Sequence, residues 1–180
     1  MQKVFFREEQ KFGSISLYIS MGLIYLSVLG LLLYALIMQF LLDKQWKEKP
    51  ISDDGLIILA VLIPLILIVS ALLLFGSKLI TEVDRHGISY SFQPFIRKPK
   101  VITKESIHSF EIRKYKPIKE YGGWGVGKTQ GHGHRKGKSG IAYNVKGNIG
   151  LQLKLTDGKL ILVGTQRAEA LKRAMIKLMN

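Results

Sequence analysis

Two uninterrupted apolar runs in the first half of the chain constrain it more than any other feature. Residues 17–42 contain no Asp, Glu, Lys, Arg or His, and neither do residues 55–75. A helix rises ~1.5 Å per residue, so crossing a hydrocarbon core of ~30 Å takes about 20 apolar residues. Both runs meet that length. A chain of 180 residues has too little remaining material to bury two such helices in a soluble core. The reading is a transmembrane hairpin: residues 1–15 precede it, residues 16–42 and 55–76 cross, residues 43–54 connect them, and residues 77–180 follow. A cleaved secretory signal fits the first run poorly. The run is too long, and Gln39–Leu42 offers no small-residue cleavage pattern.

Details within the runs refine this. Pro64 lies mid-run, where it frees a carbonyl near residue 60 and predicts a kink. Trp46 suits an interface. Ser16, Ser20, Gly22, Ser27 and Gly30 suggest close helix approach through small residues. Ionisable groups within a membrane segment usually mark a transport path; both runs lack them, which argues against a transporter or pump.

The charge is lopsided. The formal net charge is +14, and residues 76–180 alone carry 21 Lys and Arg against seven acids. By the positive-inside rule this puts the C-terminal part in the cytoplasm. Two crossings then put the N-terminus there too, with residues 43–54 outside. Such a field attracts anions without choosing among them. No cysteine is present, so disulfides, thiolate metal sites and a cysteine nucleophile are all excluded.

Residues 77–180 read as short strands followed by one helix. Strands are predicted over residues 79–84, 88–92, 100–103, 107–115, 141–145, 149–155 and 159–163. Alternation in the fourth puts Ile107, Ser109, Glu111, Arg113 and Tyr115 on one side. Gly147-Asn148 and Asp157-Gly158 are hairpin turn signals. Leu171, Ala174, Met175 and Leu178 then recur at helical spacing, with Thr165 as the expected N-cap and Glu169 in the first turn.

Seven antiparallel strands closed by a C-terminal helix resemble the pleckstrin-homology superfold. The phrases ITEVDRHGISYSFQPF, FEIRKYKPIKEYGGWGVG and AYNVKGNIGLQLKLTDGKLILVGTQ, with the closing helix, look like an uncharacterised family of two-span bacterial membrane proteins. Residues 121–125 and Gly164-Thr165-Gln166 carry the most specific part of that likeness. The resemblance implies a membrane α-helical hairpin plus an α+β pleckstrin-homology-like domain, located in a bacterial cytoplasmic membrane. It implies no activity.

Residues 121–140 read YGGWGVGKTQGHGHRKGKSG. Gly122, Gly127, Lys128 and Thr129 match the phosphate-binding P-loop pattern. That chemistry needs a buried strand before the loop and a helix beginning at the Lys. Residues 116–120 make a poor strand, and the glycines around His132 and His134 oppose a helix at roughly 1 kcal/mol each. Nucleotide hydrolysis is therefore disfavoured. Alternate His132 and His134 have no convergent third ligand, so no metal and no cofactor are expected. No nucleic-acid-binding motif is present either. The remaining reading is electrostatic. Arg113, Lys114, Lys116, Lys119, Lys128, Arg135, Lys136 and Lys138 interleave with Tyr121 and Trp124, a mixture suited to anionic lipid headgroups or a partner protein. Trp124 is expected to pack on the domain wall, with the glycines turning the backbone around it. The expected class is a non-enzymatic membrane interaction module, with a structural or assembly subunit of a larger membrane complex as the alternative.

Overall fold

The computed structural model describes residues 4–13, 15–42, 51–128 and 140–180. They form two units: a helical one, Gly13–Phe75, and a β-rich one built from Met1–Phe12 together with Gly76–Asn180.

In the helical unit, α1 (Ile15–Leu36) continues into a π-helical segment, Ile37–Leu41, and α2 spans Asp53–Phe75. Their lengths of 27 and 23 residues, with mean hydropathies of 2.3 and 3.3, make both long and apolar enough to cross a membrane. α2 runs unbroken through Pro64. Gly22 and Gly30 do not mediate helix contact as expected: a methyl placed on either meets nothing within 4 Å. The helices meet instead where Ala35 and Leu56 are buried. They also meet at a hydroxyl pair, Tyr25 to Ser70, at 2.6 Å. Ser70 donates its proton to the Leu67 carbonyl, so Tyr25 is the donor in that pair. An apolar environment favours such a bond, because the alternative is an unsatisfied hydroxyl.

The β-rich unit has two sheets. The first is β1 (Phe6–Lys11), β2 (Lys78–Val83), β3 (Gly87–Gln93) and β4 (Ile96–Thr103), all antiparallel in that order. The second contains β5 (Ile107–Lys114), β6 (Gly125–Lys128), β7 (Gly140–Asn144), β8 (Ile149–Leu155) and β9 (Leu160–Gly164), in the order β5-β8-β9-β7-β6. β7 and β9 pair in parallel, and the other neighbours are antiparallel. A short helix, α3 (Pro117–Tyr121), links β5 to β6, and α4 (Ala168–Met179) closes the chain. Leu79, Val83, Ile88 and Phe92 of the first sheet share a core with Leu151, Leu153 and Val163 of the second and with Leu171 and Met175 of α4.

Three expectations are revised. First, the described residues hold nine strands, eight of them after the helical unit, where seven antiparallel strands were expected. Second, residues 6–11, read as a separate N-terminal segment, form β1 and pair along their whole length with β2. The inward positions of β1 are Phe6, Glu8 and Gln10, two of them polar and all buried. Glu8 accepts from the Thr165 hydroxyl at 2.6 Å and from the Gln166 amide at 2.9 Å. Gln10 donates to the Gly164 carbonyl at 2.7 Å. The Gly164-Thr165-Gln166 phrase is thus the dock for β1. Third, α4 begins at Ala168 with Arg167 as its N-cap; Thr165 accepts from the Arg167 amide at 3.0 Å from just outside the helix. The four apolar residues predicted for the buried stripe of α4 are its buried residues.

Replacing Glu8 by Ala leaves a buried hydroxyl and an amide without their acceptor. Glu8→Ala is expected to destabilise the β-rich unit by about 1–3 kcal/mol. Glu9→Ala, which removes only exposed ion pairs to Lys11 and Lys78, should cost far less. Thermal unfolding of the full chain in detergent, followed by β-sheet circular dichroism, checks this; equal losses would disprove the docking role of Glu8.

Candidate interaction surface

The outer face of the second sheet carries a small second core of Tyr115, Tyr121, Ala142 and Leu162. α3 holds it in place. Pro117 occupies the first turn of α3, where a missing amide proton costs nothing. The Glu120 carboxylate reaches back to the Lys116 amide at 2.7 Å. Gly122 ends the helix at φ 80°, a conformation that favours glycine, and its amide donates to the Ile118 carbonyl at 3.0 Å. β6 then passes so close that a methyl on Gly127 would lie 2.3 Å from the Tyr121 carbonyl oxygen.

Arg113 ties these parts together. Its guanidinium donates to Glu120 at 2.9 Å, to the Tyr121 hydroxyl at 3.0 Å and, through Nε and Nη2, to Gln152 at 3.1 and 3.0 Å. The Arg113 and Glu120 side chains are only 19% and 16% exposed. The rings of Tyr115 and Tyr121 meet edge to face at 6.1 Å. Burial pushes the Tyr115 phenol up to about 12 and raises that of Tyr121 as well.

Lys116 precedes α3 and Lys119 lies on it, over this network, whereas strand register puts Lys114, Val126 and Lys128 on the other side of the sheet, level with Ile149, Tyr143 and Ile141. Lys114, Lys116, Lys119 and Lys128 are exposed, and Trp124 is 50% exposed while its indole N–H donates to the Gly147 carbonyl at 3.2 Å. Trp124 is thus tied to the β7–β8 turn by one hydrogen bond while half of it stays exposed. Arg113 and Tyr121 lie beneath, bound to each other and to Glu120 and Gln152. Arg135, Lys136 and Lys138 lie outside the described residues, as do Thr129, His132 and His134. Two exposed apolar side chains escaped sequence reasoning: Ile118, 64% exposed on α3, and Val126, 50% exposed on the opposite side of β6. The P-loop match has the wrong geometry. Gly122 ends a helix where a strand is needed, and Lys128 is paired with Ile141 in a strand. Among the described residues, no group of three or more His, Cys, Asp or Glu is placed to hold a metal ion.

Compared with protein-family models, curated proteins and solved structures, the chain shows no match.

Removing Arg113 leaves a mostly buried carboxylate without its cation. Arg113→Ala is expected to cost about 2–3 kcal/mol, somewhat below the ~3–5 kcal/mol of a fully buried pair, measured by denaturant unfolding of the full chain in detergent. A loss no larger than that of Lys114→Ala would refute the network. The tyrosines set an alkaline limit. The Tyr115 phenol ionises near 10 when unfolded and at about 12 when folded, so the folded state holds its proton more tightly. The corresponding stability is complete below pH ~10 and is lost as pH rises toward ~12. Tyr115→Phe should therefore lose less stability across that window than the parent chain, and an unchanged alkaline profile would contradict the assignment.

Proposed function

We propose that the protein is a membrane-anchored, non-enzymatic interaction module. In this reading the helical pair crosses the bilayer twice, the β-rich unit lies in the cytoplasm, and the surface around α3 contacts anionic lipid headgroups or a partner protein. One observation carries the proposal. Within the nine residues 116–124, Ile118 and Trp124 are exposed together with Lys116 and Lys119, on a scaffold whose polar groups are bonded to one another. Apolar side chains interleaved with cations suit a headgroup layer or an acidic protein face. The excess of Lys and Arg after the second helix supports the cytoplasmic placement. Two mostly antiparallel sheets closed by a C-terminal helix support the pleckstrin-homology-like reading. The parallel β7–β9 pair and the strand supplied from ahead of the helices depart from that simple order.

A structural or assembly subunit is the second reading. It draws on the helices, which bury only Ala35 and Leu56 and leave side chains such as Leu26 exposed.

One experiment addresses both. A photo-crosslinking amino acid is placed at Ile118, Lys119, Leu26 or, as a control, at exposed Arg173 on α4, and the protein is irradiated in native membranes. The interaction module predicts lipid or protein adducts at positions 118 and 119 and none at 173. The assembly subunit predicts discrete protein adducts at 26. Background yield at 118 and 119 defeats the first reading.

A further inference from the structure

The β3–β4 connection forms a second aromatic and basic feature, at a defined end of the first sheet. The register runs Lys11 to Lys78 to Gln93, with the Pro94–Phe95 turn immediately beyond. Both links to the helical unit leave from this same end. Only Gly76 and Ser77 separate Phe75 of α2 from Lys78 of β2, and three residues separate Lys11 from Ile15 of α1. At ~3.3–3.6 Å per residue, the shorter link bridges at most about 10 Å. The headgroup layer is about 5–8 Å deep on each side of the hydrocarbon.

Phe95 is 64% exposed at the tip of the turn. Its ring stacks on Phe92 at 6.1 Å, and Phe92 in turn meets Phe12 edge-on at 6.4 Å. Phe92 is buried, so the exposed ring is mounted on the core. Next to it the ladder is interrupted. Phe92 pairs with Ile96 and Tyr90 pairs with Lys100. Ser91 therefore faces three residues, Arg97, Lys98 and Pro99, and all three are exposed on the edge strand. A bulge of this kind takes side chains out of the ladder and re-aims them. Neither Arg97 nor Lys98 forms an ion pair among the described residues.

We propose that Phe95 and the Arg97–Pro99 bulge form an interfacial anchor, seated in the anionic headgroup layer of the bilayer crossed by the chain's own helices. This rests on the reading that those helices span a membrane. The occupant is lipid because the tether is short, the tip is aromatic and the bulge is cationic. Each basic side chain near an anionic leaflet strengthens such contact about fivefold, and an aromatic ring supplies the apolar insertion.

The test uses the full chain in vesicles of phosphatidylcholine and phosphatidylglycerol. Trp46→Phe and Trp124→Phe remove the native indoles. Phe95→Trp then supplies a single reporter, and Arg85→Trp, in the β2–β3 turn at the opposite end of the sheet, is the control. Lipids brominated high on the acyl chain should quench the reporter at 95 strongly and the one at 85 barely. Adding Arg97→Glu and Lys98→Glu should remove most of the quenching at 95. Alkaline carbonate extraction is run alongside. If the protein stays in the pellet and position 95 is unquenched, or no more quenched than 85, the anchor is refuted while the spanning reading stands. If carbonate releases the protein, both fall. Undiminished quenching in the charge-reversed variant refutes the role assigned to Arg97 and Lys98.

Discussion

The ladder between β1 and β2 is the constraint on which the β-rich unit depends. Its two strands are neighbours in space, yet the whole helical pair lies between them in sequence. The first sheet is completed by residues from ahead of the helices. The bonds from Glu8 and Gln10 then fasten that strand to Gly164, Thr165 and Gln166, some 155 positions away. Closing contacts of such separation costs loop entropy, which these hydrogen bonds help to offset. The strand and its partner sheet must also lie on one side of any membrane the helices cross, which requires an even number of crossings. Pairing and helix count are therefore consistent with each other independently of any charge rule.

Much of this was legible where a pattern has one physical cause. Two uncharged runs have few alternatives to long apolar helices. Asp157-Gly158 specifies a tight turn because Gly158 takes φ 83° and the Asp157 carboxylate accepts from the Lys159 amide. The stripe on α4 followed from helical spacing alone. β1 was hidden because two of its three inward side chains are polar, and hydrophobic alternation cannot reveal a strand buried by hydrogen bonds. β6 was hidden because Gly-Val-Gly-Lys has little strand preference of its own and pairs only because β7 is beside it. The parallel β7–β9 pair is a property of topology, which no local window contains. An irregularity between Ile107 and Ser109 displaces the predicted alternation of β5, so Ile107 joins the main core while Tyr115 joins the smaller one.

The interaction surface was half legible for a related reason. Counting Lys and Arg finds charge; it does not separate cations that face outward from those committed inside. Arg113 falls in the second group, because its donors reach Glu120, Tyr121 and Gln152. Its planar fork suits several acceptors at once, as a lysine ammonium would not. The network has a consequence beyond stability. It fixes α3, and with it the exposed positions of Ile118 and Lys119, so this apolar and cationic pattern is presented on a stiff base. A preorganised surface loses less conformational freedom on binding than a loose one.

The two aromatic and basic features differ in what the chain permits them. Phe95 sits one turn beyond residues joined to the helices by links of two and three residues. A short link between an apolar helix and a strand end leaves that end little range. The surface around α3 lies on the second sheet, whereas both links to the helices enter the first. Two features of similar composition are thus suited to different tasks under the proposed topology. For the feature beside the links the proposed occupant is the bilayer, and contact there would orient the β-rich unit. The one around α3 is left available for a second contact, with lipid headgroups or a partner protein, and the rigidity that Arg113 gives it lowers the entropic cost of either.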